Sequence, residues 1–436
     1  MASDTSRSPA NLALTPVAQG DRVFHFHEHA ALWFSLGTGL LVMQIGAYLV
    51  PAVGTRDALV AIVLGSLIGA GLLAWTARLG CRTGLASAGL MHATYGSAFA
   101  RLPVLLNIAQ LIGWATFELV IMQEGTVAIL KQALGSEPGG LLDGMGGKLL
   151  ATLLWGGVLF ALMAGSMLTL VRRFVSRFAL PLVIASLLWL TWQFGTRLQA
   201  QGLEAFWDRP GSSGMGLFSA MDLVIAMPVS WLPLVADYAR HGRSSATTLG
   251  GTWMGYALAN IWCYALGVLV VSTVEPDTQL VGALLLAQGG LVALGLILLD
   301  EMDNAYGDAH SGAVSLHSLW PRWSIRRAGL GFAALCTLFA LLLPMHTLEP
   351  FLLLLSSVFV PLYGVILGRL GGGLPGVRRS VDWGAAGLWV LGIATYHLLA
   401  QFAPQWGSAL PTLALTFVLA ALTRSRGAAG MAPAGA

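Results

Sequence analysis

Two stretches of the chain carry side chains whose types and spacing could do chemistry. In segment 103–130, Asn107, Gln110, Trp114 and Glu118 recur at i, i+3, i+7 and i+11, one stripe of a helix. An amide pair, an indole and a carboxylate on one stripe suit a flat, hydrogen-bonding ligand. The indole stacks on the ring and the polar groups pair with its edges. A network that only ties helices together is the alternative use of the same residues. In the run DEMDNAYGDAHS, Asp300, Asp303, Asn304, Gly307 and Ser311 form a second stripe, with Asp308 close to it and Glu301 about a quarter turn away. Two carboxylates one turn apart cannot both ionise cheaply at low dielectric, so such a pair holds a proton or a metal ion. If the helix stops near Leu299, these acids are merely solvated.

Two further segments supply backbone rather than acids. Between Trp33 and Pro51 lie Gly37, Thr38, Gly39, Gln44 and Gly46. The glycines weaken a helix, and Gln44 is a lone amide in an apolar run. The segment is a packing seam or a partly unwound helix with freed carbonyls. In MDLVIAMPVSWLPLVADYAR, from Met221 to Arg240, Pro228 and Pro233 bracket Ser230 and Trp231. Each proline removes a backbone donor and clashes with the preceding turn, so the expectation is a break or a kink near mid-helix. Asp237 is expected to pair with Arg240 or another Arg and not to be catalytic.

The elements that position these residues follow from composition. Of 436 residues, 56% are hydrophobic and only 10% charged, against about 25% charged in a soluble domain. That excludes a soluble enzyme, a disordered chain and a nucleic-acid binder, and leaves a polytopic membrane protein. Twelve stretches are long and apolar enough to span: 29–50, 57–77, 103–130, 149–170, 176–195, 217–238, 247–272, 279–304, 328–345, 350–368, 383–401 and 408–423. With both ends in the cytoplasm, 18 of the 23 Lys and Arg fall inside and 5 outside, a strong positive-inside asymmetry. No cleavable signal precedes the first span. The segment from Thr83 to Gly96 is too polar and Gly-rich for a span and suits a short interfacial or re-entrant piece. Gly65 and Gly69 at four-residue spacing read as a helix-packing seam. Cys81, Cys263 and Cys336 lack metal or disulfide spacing and read as small apolar residues.

The interrupted first and sixth spans lie five apart, in halves that begin on opposite sides of the membrane, which is the pattern of an inverted repeat. The division is a tail at 1–28, a first repeat at 29–200, a second at 201–370, two added helices within 371–424 and a tail at 425–436. The fold class is all-α, with about twelve transmembrane helices. A secondary transporter with its site at the midplane fits this arrangement. An integral-membrane, Mg-dependent, prenyltransferase-like enzyme using the Asp300–Asp308 acids is the competing class. It needs a second acidic cluster, which the sequence lacks, and no P-loop, nucleophile elbow or His-Glu-x-x-His motif is present.

Trp33-Phe34 with Gln44–Pro51, GLASAGLMHATYGSAFAR, QLIGWATFE and SWLPLVADYAR resemble the nucleobase:cation symporter-1 family, over about residues 25–370. The span-six segment is most similar to the hydroxymethylpyrimidine branch of its cytosine, purine, allantoin and hydantoin permeases. The resemblance implies a LeuT-like five-plus-five repeat with helices one and six discontinuous. It implies a planar heterocycle stacked between Trp114 and Trp231, with polar contacts from Gln44 and Asn304. Glu118 and Ser230 are added as substrate-binding candidates from the residues themselves. Hydroxymethylpyrimidine or cytosine is the expected substrate, and a bacterial inner membrane the expected location. The family's sodium-coupled members use span-one carbonyls, here those of Leu40 and Met43, with Ser or Thr hydroxyls of span eight. No Ser or Thr occurs from Gln279 to His310. Carboxylates stand there instead, which points to H⁺ rather than Na⁺ as the coupling ion, with Asp300, Glu301 and Asp303 as its candidates. No cofactor and no nucleic-acid partner are expected.

Overall fold

The structure is a computed structural model that describes residues 11–135, 140–165, 180–212, 214–275, 278–343, 348–375 and 379–424. Helices α1 (Phe26–Gly37) and α2 (Leu40–Ala52) form the first span, bent by 54° where Thr38 and Gly39 interrupt it. Then come α3 (Thr55–Thr83), the short α4 (Ser87–Tyr95), α5 (Arg101–Leu134), α6 (Met145–Met163), α7 (Leu180–Gln201) and α8 (Leu203–Trp207). The second half holds α9 (Leu217–Ser230), α10 (Leu232–Ala239), α11 (Ser245–Val271), α12 (Leu280–Leu285) and α13 (Gly290–Leu319). It ends with α14 (Ile325–Leu342), α15 (Leu348–Leu370), α16 (Trp383–Phe402) and α17 (Ala409–Leu422).

Among the described residues, eight helices are long and apolar enough to cross a membrane, and the bent pair α1–α2 makes a ninth. The other three predicted spans fall on α7, on the acid-bearing α13 and on α17. Large apolar side chains are exposed along outward faces, including Leu149, Leu153 and Phe160 of α6 and Leu188 and Trp192 of α7. Such faces suit hydrocarbon rather than water. Residues 166–179, 276–277 and 425–436, which include parts of the predicted spans four and five, a predicted break and the C-terminal tail, lie outside the described residues.

Helix packing follows the repeat. The first span packs on α11, and the sixth (α9–α10) packs on α3, so exchanging one with six and two with seven maps one contact onto the other. Helices α5 and α13, the third and eighth spans, pack directly on each other, as the same exchange requires. The seams are built from glycine. A Cβ on Gly65 would sit 2.8 Å from the Val224 Cβ, and one on Gly69 would overlap the Pro228 ring. Neither could be accommodated without moving the helices apart, so the expected seam is real. All three cysteines are buried and free.

Three expectations are corrected. The predicted eighth span does not run unbroken from 279. After α12 the chain turns through Gly289, at φ 69, and α13 continues to Leu319. The acids therefore sit in the middle of a helix, buried, and not at a solvated end. In span six the interruption is one residue: Trp231 keeps helical angles (φ −86, ψ −12), and α10 resumes with Pro233 near its start. Proline is tolerated in a first turn because that N–H has no helical partner anyway. Asp237 forms no ion pair with Arg240. Its carboxylate accepts from the Ser87 N–H at 2.9 Å, at the N-terminus of α4, where orphan donors need an acceptor.

The N-terminal segment is not a free tail, and α1 begins inside it. Val23 and Phe24 donate backbone hydrogen bonds of 2.9 Å to the His241 carbonyl, Arg243 N–H donates back to the Phe24 carbonyl, and Arg22 reaches the Cys81 carbonyl at 2.6 Å. These contacts clasp the chain before span one to the loop after span six and to the end of α3. Burial, with Arg240 and Arg22 nearby, lowers the pKa of His241 to about 4.

Candidate functional site

The interruption in α1–α2 leaves backbone groups without helical partners, and neighbouring helices satisfy them. Asn304 Nδ2 donates to the Thr38 carbonyl at 3.3 Å and to Glu301 Oε2 at 3.1 Å. The N–H of Leu40, first residue of α2, donates to Glu301 Oε1. A carboxylate at the first turn of a helix meets both the orphan donors and the positive end of the dipole. Glu301 itself is fully buried.

Span six is held similarly from α5. Ser230's carbonyl is bypassed by the next turn, since Leu234 and Val235 both bond to Trp231's carbonyl. Gln110 Nε2 supplies the missing donor at 3.3 Å, and Asn107 Nδ2 reaches the Pro233 carbonyl at 3.1 Å and Ser315 Oγ at 3.0 Å. A buried carbonyl left bare costs about 1–3 kcal/mol, so these two amides serve the fold. The predicted stripe on α5 thus divides: Asn107 and Gln110 tie span six, while Trp114 and Glu118 face a cavity.

That cavity is enclosed by α1–α2 (Leu36, Gly39, Leu41, Val42), α5 (Trp114, Glu118), span six (Met227, Ser230, Trp231) and α13 (Glu301, Asn304, Asp308). Its free volume is about 10 Å³, near the room for one water, so a ring enters only if the walls move. Trp231 is set edge-on to Trp33, with ring centroids 6.1 Å apart at 84°, and Trp114 edge-on to Phe351 at 5.2 Å and 68°. Ser230 Oγ donates to the Met227 carbonyl at 2.7 Å. Glu118 and Glu301 both line this cavity, so two acids lie side by side on its wall.

Five of the six predicted substrate residues line this one cavity: Trp114, Glu118, Ser230, Trp231 and Asn304. Gln44 does not. It is exposed on α2, because Gly46 packs that helix against the Tyr264 carbonyl of α11 and Gln44 is about 200° round the helix from Gly46. Leu40 and Met43, the predicted carbonyl ligands, are also displaced. The interruption precedes them, and the Met43 carbonyl lies against Gly267 of α11, so the freed carbonyl is Thr38's.

The second predicted stripe separates as well. Glu301, Asn304 and Asp308 face the cavity, while Asp300 and Asp303 face α1. There Ser35 Oγ donates to Asp300 Oδ1 at 2.6 Å and lies 3.2 Å from Asp303 Oδ2. Sequence reasoning missed Ser35, although a hydroxyl beside the Gly37–Gly39 run was visible, and placed Asp308 beside the stripe without naming it a substrate residue. Among the described residues no three His, Cys, Asp or Glu side chains are grouped to hold a metal ion.

Known proteins share this architecture. A family profile described as "Permease for cytosine/purines, uracil, thiamine, allantoin" matches residues 16–370. Mhp1, a nucleobase-cation-symport-1 transporter solved closed with bromovinylhydantoin bound, is similar at TM-score 0.75 and 16% identity, over 95% of this chain and 94% of that one. Its inward-facing form gives TM-score 0.75 and 17% identity, over 96% and 93%. MhsT, solved with L-phenylalanine, gives TM-score 0.56 and 17% identity, over 90% and 98%. No curated protein matches by sequence. The all-α bundle, with its interrupted first and sixth spans and LeuT-like exchange of helix contacts, is thus a multi-pass membrane protein, and the chain belongs to the nucleobase:cation symporter-1 family of permeases.

Proposed function

We propose that this permease imports a small planar nitrogen heterocycle, hydroxymethylpyrimidine or a related pyrimidine such as cytosine, by alternating access coupled to protons. Its termini lie in the cytoplasm and its membrane is a bacterial inner membrane. The observation that carries the substrate reading is the cavity: two indoles, Trp114 and Trp231, beside an amide and carboxyls, at the place where spans one and six are interrupted. Indoles stack flat rings, and interrupted spans can shift their halves separately.

Proton coupling rests on a count of hydrogens. Ser35 has one hydroxyl proton, and its 2.6 Å bond to Asp300 uses it. Its 3.2 Å contact with Asp303 is a hydrogen bond only if Asp303 carries a proton and donates. Glu118 and Glu301 are two acids on the wall of one buried cavity, where both cannot ionise cheaply. Carboxyls in place of span-eight hydroxyls do not fit the sodium ligand set that the family resemblance implies. Access from alternate sides then lets Asp300, Asp303 and Glu301 load and release protons.

The family profile the chain matches is one of permeases, which favours the transporter reading over the enzyme reading. The test is uptake of labelled hydroxymethylpyrimidine and cytosine into proteoliposomes containing the purified protein. Saturable uptake abolished by Trp231→Ala supports the proposal. Absence of uptake of any pyrimidine, purine or hydantoin overturns it.

A further inference from the structure

The polar atoms around the cavity divide sharply by what they have left to offer. Ser230's proton is used on the Met227 carbonyl. Both protons of Asn304 Nδ2 are used, on Thr38 and Glu301, and the amide cannot be turned round, because both neighbours are acceptors. Glu301 accepts from Leu40 and Asn304. What remains unpartnered is Trp114 Nε1, Asn304 Oδ1 and Glu118 Oε2, all buried. To these is added Asp308, 2% exposed and lining the cavity, to which no hydrogen bond or ion pair runs among the described residues. No Lys or Arg lines the cavity. One N–H donor thus stands against one amide oxygen and two carboxyls, which, buried with no cation beside them among the described residues, hold a proton until a base takes it.

From this we infer that the site selects amino-substituted, protonatable rings, that is, rings presenting an N–C–NH₂ edge, over their oxo counterparts, and that Asp308 is the specificity-determining residue. This deepens the transport reading and rests on it. A protonated amidine-type edge offers two parallel N–H donors to one carboxylate, the strong bidentate form of a charge-assisted hydrogen bond. Asp308 takes that edge. Glu118 Oε2 and Asn304 Oδ1 take further N–H groups, and Trp114 Nε1 meets one ring acceptor. The indole faces add cation–π attraction for a charged ring. An oxo ring is not basic enough to take the Asp308 proton, so it meets the same carboxyl through neutral hydrogen bonds only, which are about half as strong.

Matched ring pairs that differ only in this group test the inference: cytosine against uracil, and 4-aminopyrimidine against 4-pyrimidinone, by equilibrium binding to the purified full-length protein. The amino member should bind about tenfold tighter or more. In Asp308→Asn, whose amide can donate as well as accept, that ratio should fall close to one. Equal or tighter binding of the oxo members to the unaltered protein overturns the inference, and does so even if the variant fails to fold. So does a ratio that Asp308→Asn leaves unchanged. Either result leaves the transport reading standing, whereas failure of every ring to bind removes that reading too.

Discussion

The backbone N–H of Leu40 is bonded to the carboxylate of Glu301. One group opens the second half of the broken first span, and the other sits in the middle of α13. The bond ties the bent first span to the helix that carries the acids, and it does so at the cavity wall. Removing Glu301's charge therefore changes both the electrostatics of the site and the anchoring of α2.

Glu301→Gln keeps an oxygen acceptor for Leu40 and removes the ionisable group. Its NH₂ then faces the Asn304 NH₂, so it should melt below the unaltered protein but above Glu301→Ala, and it should fail to accumulate substrate. Glu301→Ala removes the acceptor as well and should lower stability by about 1–3 kcal/mol. Thermal melts of the two purified variants, set beside proteoliposome accumulation, separate the roles. Equal melting temperatures would show that the Leu40 bond contributes nothing.

Ser35 holds Asp300 and Asp303 in one arrangement. Asp303→Asn should abolish proton-driven accumulation while leaving substrate exchange across the membrane intact. Ser35→Ala should displace the pH dependence of uptake without eliminating transport. Unchanged concentrative uptake by Asp303→Asn would place the coupling group elsewhere.

Trp114 and Trp231 should contribute to binding as stacking surfaces. Stacking of a base on an aromatic ring is worth about 1–3 kcal/mol, so Trp114→Ala or Trp231→Ala should weaken binding roughly 10- to 100-fold. Gln44→Ala should leave affinity within about twofold, because Gln44 is outside the cavity. Isothermal binding measurements on the three variants decide both points.

The clasp at His241 gives a pH prediction. Its pKa is lowered from 6.5 to about 4, so the folded arrangement favours neutral imidazole. The stabilisation is complete above pH 6.5 and is lost as pH falls through 4. Hydrogen-exchange protection factors at Val23 and Phe24, corrected for intrinsic rates, should fall over that window. In His241→Gln, which cannot titrate, they should stay flat.

The span pattern was legible because charge and apolar length are properties of the sequence alone. The stripes of α5 and α13 were legible because helical period fixes which residues share a face. The partners of those faces were not. Asn107 and Gln110 share a stripe with Trp114, yet only packing reveals that the carbonyls of Pro233 and the bypassed Ser230 claim them. Gln44 was misplaced because the interruption falls at Thr38–Gly39, and Gly46 then sets the rotation of α2 against α11. Asp308 stood out as an acid beside the stripe, but a substrate role for it was not legible, because that rests on its having no partner among the described residues, which a sequence does not display.

Proton coupling is the central claim, and imposed gradients test it most directly. Purified protein in proteoliposomes should accumulate labelled substrate under an inward proton gradient with sodium absent, and collapsing that gradient with a protonophore should release it. Accumulation that requires a sodium gradient and ignores the proton gradient would contradict the account.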